Sequence, residues 1–289
     1  MECINDLRSR PARALPRVVY SSRHDSLTHG DVSGRVTWQA TSRHKIGAFW
    51  DEQWICRKCD GMTQGITDPL RVTPEAIGVQ SVLPMRVNQV TWSSPLTNRL
   101  LLDAGYGGTY YGAGNPERPG NATRDLIRVE QCASGCAANG NIPGMVYRSQ
   151  DWGDNFSGSY NWRASAAYVT GAHSLKIGYQ GTYLTSDRIW STNNQNLTYR
   201  FNNGVPNQLT ESISPWSDSS RAAWHALFAQ EQWTFRRLTL QGALRFDRAS
   251  SWFLEQGAGP SRFLPIAIVF PETTGVDGYK DVTPRMSVA

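Results

Sequence analysis

Apolar and polar residues alternate with a period of two along many stretches of the chain. In residues 238–247 (LTLQGALRFD), Leu240, Leu244 and Phe246 fall on one side, whereas Arg245 and Asp247 fall on the other. This period is typical of a β-strand with one apolar and one polar face. Further alternating segments lie at 34–41, 44–54, 87–95, 99–108, 155–169, 174–184, 197–202, 208–216, 222–235 and 281–289. The pattern predicts an all-β chain of about eleven strands.

The connections between these segments alternate in length. Short turns are expected near residues 43, 97, 171, 205 and 236, and long loops at 56–85, 109–154, 186–196 and 250–280, with one short exception at 217–221. An antiparallel transmembrane β-barrel has short periplasmic turns and long extracellular loops. Strands of about ten residues also suit the thickness of a bilayer. The sequence therefore favours a barrel whose apolar faces meet lipid over a soluble sheet packed on a core.

Composition narrows the classes of protein. No run approaches the roughly 18 apolar residues of a membrane-spanning helix, which excludes a helical membrane protein. The net charge of +5 comes from scattered basic residues, so a nucleic-acid partner is not expected. The chain has 11 Trp, 11 Tyr and 9 Phe, and several of them stand near strand ends, where aromatic rings suit a membrane interface. Outer-membrane lipid is the partner that these features predict.

One hairpin carries a family resemblance. Residues 226–247 (ALFAQEQWTFRRLTLQGALRFD) resemble the late-barrel hairpin of TonB-dependent outer-membrane receptors, which reads as an aromatic residue, Q-D-x-W, a short turn and L-T-L-x-x-G-x-R-Y/F-D. Glu231 replaces the commoner Asp, and Gly242 sits one place early. The matching positions are Phe228, Gln230, Glu231, Trp233, Leu238, Thr239, Leu240, Arg245, Phe246 and Asp247.

Two weaker similarities extend the resemblance over residues 32–289. Residues 281–289, with Pro284 and Arg285, resemble the next strand of the family, and residues 92–107 (WSSPLTNRLLLDAGYG) look like its Oar-like subgroup, which has a carboxypeptidase-regulatory-like domain. The family implies a barrel of about 22 strands. About half of it would be present as a partial barrel at 32–289, after an atypical, disordered segment at 1–31. A plug domain and TonB box would lie outside this chain.

The resemblance implies a non-enzymatic outer-membrane receptor that imports a siderophore, oligosaccharide or peptide with the help of the TonB complex. Polar strand faces would line the lumen, and aromatic and amide side chains in outer loops would contact ligand, because rings stack on sugars or chelates and amides both donate and accept hydrogen bonds. The lumen-lining candidates are Arg163, Lys176, Gln180, Gln241, Arg245 and Asp247. The loop candidates are Trp152, Trp190, Asn193, Asn194 and Trp252.

Two cysteine pairs leave three alternatives open. Cys56 and Cys59, and likewise Cys132 and Cys136, lie close together in predicted long loops. On the oxidising side of a membrane, a local disulfide in each pair is favoured. Free thiols and a zinc site remain alternatives, although the second pair has one residue more than a standard zinc ribbon. We expect no resident metal or cofactor and no catalytic group, because the chain lacks a G-x-S-x-G nucleophile motif and an H-E-x-x-H metal motif.

The sequence is also compatible with two functions other than a receptor. A plug-less channel or adhesin barrel has the same strands and loops. A secreted, soluble β-rich carbohydrate-binding protein or hydrolase has the same alternation, but it packs Leu175, Ile177 and Tyr179 into a core. A transmembrane barrel requires instead that no other part of the protein covers these side chains.

Overall fold

The computed structural model describes residues 17–20, 27–57, 73–76, 80–117, 120–131 and 144–289. Within these ranges nearly all regular structure is β-strand, and there is one short 3-10 turn at Pro74–Ala76. Helices capable of crossing a bilayer are absent from this described part of the chain. The strands are β1 (Arg17–Tyr20), β2 (Leu27–Gln39), β3 (Lys45–Arg57), β4 (Gln80–Pro95), β5 (Leu100–Asn115), β6 (Arg128–Gln131), β7 (Val146–Tyr147), β8 (Trp152–Thr170), β9 (His173–Ser191), β10 (Leu197–Asn202), β11 (Val205–Glu211), β12 (Trp216–Phe235), β13 (Leu238–Phe253), β14 (Gln256–Ala258), β15 (Ile268–Phe270), β16 (Thr273–Thr274) and β17 (Tyr279–Val288).

The long strands form one antiparallel sheet in chain order, which we call the wall. Its members are β2, β3, β4, β5, β8, β9, β12, β13 and β17, and each pairs with the next. Strands β8, β9 and β12 have 19 or 20 residues, about twice what a bilayer requires. They therefore continue beyond the membrane. The predicted antiparallel, all-β architecture is confirmed.

Turns and loops alternate strictly along the wall. Short turns join β2 to β3, β4 to β5, β8 to β9 and β12 to β13, whereas long connections join the remaining neighbours. The prediction that 197–202 and 208–216 are wall strands is wrong: β10 and β11 form a hairpin inside the long connection between β9 and β12. The expected short connection at 217–221 is also wrong, because these residues lie within β12. Both corrections make the alternation more regular than predicted.

The first strands begin earlier than the sequence suggested. Strand β1 lies wholly within the segment 1–31 that was expected to be disordered, and β2 starts inside it. Arg17 pairs with Ser33, and Tyr20 pairs with Gly30. Within the described residues, β-structure thus extends back to residue 17.

The wall has two chemically different faces. The outward face carries the side chains of Val36, Ile177, Leu227 and Leu244, which are 51–64% exposed. The opposite, inward face carries Arg163, Gln180, Arg245 and their polar neighbours. In the described residues, the only buried apolar side chain of the wall is Ala226. A soluble sheet would cover such an apolar surface with a second layer, so the outward face is built for hydrocarbon.

Histidine and tryptophan pairs mark the short-turn edge of the outward face. The rings of His44 and Trp92 stack with centroids 5.8 Å apart, and Trp92 Nε1 donates to His44 Nδ1 at 3.2 Å. His173 stacks on Trp233 at 6.0 Å, and its Nδ1 lies 2.8 Å from Glu231 Oε1. Such amphipathic rings suit the boundary between hydrocarbon and water. Each pair ties a turn to the adjacent strand.

A second, smaller sheet lies in the long loops, and we call it the loop sheet. Its strand order is β11-β10-β6-β7, and β10 runs parallel to β6. It has buried apolar residues at Val129, Val146 and Leu197, and a buried Arg128 that pairs with Asp151. The loops at this end of the wall are therefore packed structures with a core of their own.

Candidate functional site

The inward face brings polar side chains of several strands into one row. Arg163 of β8 stands opposite Gln180 of β9, which stands opposite Ala226 of β12, and Ala226 opposes Asp247 of β13. Residues directly opposite each other in a sheet point to the same side. Three of the predicted lumen candidates are therefore neighbours, although they are far apart in sequence.

Arg245 links three strands at the centre of this row. Its Nε donates to both carboxylate oxygens of Asp247 at 3.1 and 3.0 Å, and Nη1 donates to Gln180 Oε1 at 3.0 Å. The guanidinium carbon lies 5.0 Å from the centre of the Trp224 ring. A planar guanidinium can satisfy a carboxylate and stack on an aromatic face at the same time. These contacts fix the polar surface of β9, β12 and β13.

A groove of about 290 Å³ lies beside this cluster. Thr182 Oγ1 donates to Asn161 Oδ1 at 2.8 Å within the groove. Gly105 faces Arg163 across β5 and β8, and a Cβ at Gly105 would lie 3.3 Å from Arg163 Nε. The glycine thus leaves room for the arginine side chain to lie along the sheet. The groove's polar lining is Gln89, Thr91, Asn161, Arg163, Gln180 and Thr182, with Trp224 at one side.

The two remaining lumen candidates lie nearer the short turns. Gln241 Nε2 donates to Gln232 Oε1 at 3.0 Å, and Ser287 Oγ donates to Gln241 Oε1 at 3.2 Å. Lys176 stands opposite Gln230, on the inward face. Neither Arg163 nor Lys176 makes a hydrogen bond or ion pair within the described residues. The inward face therefore offers cationic groups that are not used by the wall itself.

The loop candidates do not form a single site. Asn193 is fully buried: its Nδ2 donates to the Leu197 carbonyl at 2.9 Å, and its Oδ1 accepts from the Leu197 amide at 3.4 Å. Asn193 therefore holds the loop together, and in this structure its side chain has no surface exposed to a ligand. Asn194 is exposed and donates to Asp125 Oδ1 at 2.7 Å. Its side chain therefore remains accessible to solvent.

The three tryptophan candidates occupy different surroundings. Trp152 lies under Arg124, whose guanidinium carbon is 5.3 Å from the ring centre. Trp190 opposes Trp216 on the inward side of β9 and β12. Trp252 is on the outward face, 6.1 Å from the Tyr183 ring, which is the position of an interfacial aromatic residue. Trp190 thus faces inward, whereas Trp252 faces outward.

The base of the loop sheet is held by an acidic residue. Arg148 donates its backbone N–H to Glu75 Oε1 at 3.3 Å, and Thr73 donates its backbone N–H to the Val146 carbonyl at 2.9 Å. A hydrogen bond from the Thr73 side chain, with smaller help from the Glu75 and Arg148 amides, lowers the pKa of Glu75 against the opposing effect of burial. The carboxylate therefore contributes to loop order in its ionised form.

The cysteine alternatives lie outside the described residues. Cys59, Cys132 and Cys136 fall there, and only the backbone of Cys56, in β3, is described. Within the described ranges no group of three or more His, Cys, Asp or Glu side chains could hold a metal ion.

Several residues that line the groove were not predicted as site residues from the sequence. Trp224, Asn161 and Gln89 line the groove but were not among the candidates. Alternation alone places Trp224 on the same face as Gln230, so the signal was present in the sequence. Its proximity to Arg245 depends on the register between β12 and β13, which the pattern within one strand does not contain.

The chain matches a family described as "Outer membrane beta barrel domain" over residues 11–289. No curated protein matches it. Among solved structures, the ferric yersiniabactin uptake receptor FyuA from Yersinia pestis is similar with a TM-score of 0.50 and 9% identity, over 91% of this chain and 34% of that chain. At this identity the likeness extends to the fold alone.

Two further solved structures are similar at a lower level. The copper transporter OprC has a TM-score of 0.46 and 13% identity, over 91% of this chain and 34% of that chain. The outer membrane transporter YddB from Escherichia coli has a TM-score of 0.46 and 11% identity, over 80% of this chain and 31% of that chain. The chain thus spans about a third of the length of the structures it matches.

Proposed function

The chain belongs to the family of outer membrane β-barrel domains, and we propose that it forms part of the wall of a TonB-dependent receptor that binds and imports a nutrient. Its place is the outer membrane. The import activity, the plug domain and the TonB complex concern the whole receptor and are parts of the proposal. The Oar-like subgroup, indicated by residues 92–107, is a further part of it. No catalytic role is proposed.

The observation that supports this function best is the organised polar surface on the inward face. Arg245, Asp247, Gln180 and Trp224 form a connected cluster, and the groove beside it is lined with amide and hydroxyl groups. A barrel that only anchors a protein has no need of such an interior. A receptor needs it because a plug must be held in a water-accessible lumen by contacts that can be broken during transport.

The free cations give the wall a direct means of holding a plug. Arg163 and Lys176 face inward without a partner in the described residues. Carboxylates or backbone carbonyls of a plug would pair with them, since charge-assisted hydrogen bonds are stronger than neutral ones. Because these partners would be exposed to water at the lumen, each contact would be weak enough to be reversed.

Ligand capture is assigned to the loops. Trp190 and Trp152 provide ring surfaces, and Asn194 provides an exposed amide near the loop sheet. The packed core of the loop sheet gives these groups a defined position. A siderophore, an oligosaccharide and a peptide all fit this chemistry, and the proposal covers the three classes.

The two rivals differ from this proposal in observable ways. A soluble carbohydrate-binding protein or hydrolase conflicts with the exposed outward face, where Ile177 and Leu244 are about half exposed. A plug-less channel keeps the same wall, but leaves the lumen open to small solutes. Permeability therefore separates the receptor from the channel.

The test is the entry of a small chromogenic β-lactam into cells that express the intact protein and a periplasmic β-lactamase. We expect hydrolysis at the background rate for the unaltered protein, because a plug fills the lumen. The double variant Arg163→Ala and Lys176→Ala should raise the rate several-fold by loosening the plug. The matched control, Leu175→Ala and Ile177→Ala, removes neighbouring side chains from the outward face and should leave the rate at background.

One outcome would contradict the receptor, and another would contradict the role given to the two cations. A high rate in the unaltered protein would show an open channel. A background rate in the Arg163 and Lys176 variant, with normal assembly in the membrane, would show that these cations hold no plug.

A further inference from the structure

Three basic residues stand side by side on the outward face. His225 of β12 is directly opposite Arg248 of β13, and Arg248 is directly opposite Lys280 of β17. All three side chains are exposed. In the same row, Gly181 of β9 stands opposite His225. We call His225, Arg248 and Lys280 the basic row; it lies on the face that the wall presents to lipid.

The basic row lies where the apolar surface ends. Below it, towards the short turns, the outward side chains are Leu244, Phe246 and Val282. Arg248 is about ten residues along β13 from the turn before Leu238, and about ten tilted residues cross a bilayer. The row is therefore at the level of the lipid headgroups on the long-loop side, which is the outer leaflet.

Within the described residues, the charges of Arg248 and Lys280 are not neutralised by any carboxylate. Arg248 and Lys280 make no hydrogen bond or ion pair within the described residues. The outward neighbours one step above and below on β12, β13 and β17 are uncharged: Ala223, Leu227, Phe246, Ser250, Gly278 and Val282. Like charges directly opposite each other destabilise a sheet. An external anion would remove this repulsion.

Other cations on the same face have carboxylate partners. Arg221 Nη1 donates to Asp187 Oδ1 at 2.8 Å, and Arg86 Nη2 donates to Glu52 Oε1 at 3.2 Å. The wall thus pairs its outward arginines elsewhere, but leaves Arg248 and Lys280 without a carboxylate partner in the described part of the chain. The difference marks this position as one that meets negative charge from outside the chain.

The side towards β9 adds an ordered polar and aromatic group. The Tyr179 hydroxyl lies 2.7 Å from His225 Nδ1, and Trp162 Nε1 donates to the same hydroxyl at 3.4 Å. The rings of Tyr179 and His225 stack at 6.1 Å. These contacts orient the imidazole, and its other nitrogen makes no hydrogen bond within the described residues. The rings also provide an apolar surface for the upper part of an acyl chain.

We propose that the basic row binds the phosphate group of a lipid in the outer leaflet. The Arg248 guanidinium can hold two phosphate oxygens, the Lys280 ammonium adds a point charge, and His225 adds one hydrogen bond. The acyl chains would then run down the apolar surface formed by Leu244, Phe246 and Val282. This lipid site is independent of nutrient import, so it goes beyond the proposed function.

The experiment uses the intact protein in phosphatidylcholine vesicles that contain lipid A, a diphosphorylated glycolipid, or the same glycolipid without its phosphates. After detergent extraction, the glycolipid that stays with the purified protein is quantified. We expect the unaltered protein to retain the phosphorylated form, and the double variant Arg248→Gln and Lys280→Gln to retain about tenfold less, because two charge-assisted contacts are lost.

The control is the double variant Lys45→Gln and Arg285→Gln, which removes the same charge from the inward face and should retain the lipid as the unaltered protein does. A difference in electrophoretic mobility between unheated and heated samples verifies that every variant is folded. Equal retention of lipid by both double variants would overturn the proposal, as would equal retention of the dephosphorylated glycolipid. Displacement of the lipid by millimolar inorganic phosphate would show a site for the free ion instead and would also overturn it.

Discussion

The wall and the loop sheet place their apolar residues in opposite ways. In the wall, large apolar side chains such as Val36, Leu227 and Leu244 point outward and stay exposed, while the inward face is polar. In the loop sheet, Val129, Val146 and Leu197 are buried, although Val205 and Leu209 of its edge strand stay exposed. With the sole exception of Ala226, the buried apolar residues in the described part of the chain belong to the loops.

This difference reflects two solvents that act on one chain. Next to hydrocarbon, an apolar side chain needs no protein cover, and each backbone polar group must be satisfied by pairing between strands. In water, a sheet is stable only when its apolar side chains are removed from solvent. The boundary between the two regimes falls partway along β8, β9, β12 and β13, on the long-loop side, near the basic row and the aromatic residues Tyr183 and Trp252.

The strongest test of the wall is a charge at mid-membrane. Leu244 is 53% exposed among Ile177, Leu227 and Val282, about halfway along the apolar part of β13. Leu244→Arg should destabilise the assembled protein by about 2–4 kcal/mol. Urea unfolding in lipid vesicles measures this change, and electrophoretic mobility without heating shows the loss of assembled protein.

The neighbouring residue is the matched control. Ala243→Arg puts the same charge on the inward face, opposite Gln230 and Arg285. It should still assemble, because that face meets water and the repulsion from Arg285 costs at most about 1 kcal/mol. Leu240→Arg, two residues from the short turn, should cost only about 0–1 kcal/mol near the interface. If Ala243→Arg is as harmful as Leu244→Arg, the assignment of the two faces is wrong.

A smaller effect, confined to the loops, is expected from Leu197→Ala. Leu197 is 6% exposed and is one of the three buried apolar residues of the loop sheet. The substitution should weaken the loop sheet by about 2 kcal/mol, the lower end for such changes, because few other residues depend on Leu197. Limited proteolysis of the loops in intact cells should become faster.

The wall should not respond to this substitution. Urea unfolding of the Leu197→Ala variant in vesicles is expected to match that of the unaltered protein, since the wall depends on strand pairing in lipid and not on the buried residues of the loop sheet. A parallel loss of wall stability would mean that the loop sheet and the wall fold as one cooperative unit.

The smallest effect is the pH dependence of loop order. The lowered pKa of Glu75 means that its ionised form contributes stability above the ordinary value of 4.5, and that this contribution is lost as the pH falls through the lowered pKa. Amide exchange at residues 144–151, corrected for intrinsic rates, should therefore increase on acidification from about pH 6 to about pH 3.

Glu75→Gln keeps the shape of the side chain but cannot ionise. We expect exchange at these residues to be slightly faster than in the unaltered protein near neutral pH, and the extra increase on acidification to disappear. An unchanged acid response in this variant would assign the effect to another carboxylate.

The local pattern predicted more of the wall than of the candidate site. Alternation placed Arg245 and Asp247 on one side of a strand and Leu244 and Phe246 on the other, because side-chain direction in a strand depends only on position along it. The short turns at residues 43, 97, 171 and 236 were also readable, since hydrophobic periodicity stops there. The hairpin of β10 and β11 was misplaced because its period of two is the same whether it lies in lipid or in water.

The amino-acid sequence by itself determined the strand character of the chain, the division into an apolar and a polar face, and the alternation of turns and loops. The three-dimensional fold determined which residues meet: Arg245 with Gln180, Arg248 with Lys280, and β6 with β10 in parallel. The reason is physical. Side-chain direction is a local property of a strand, whereas register and loop packing depend on contacts between segments that are distant in the chain.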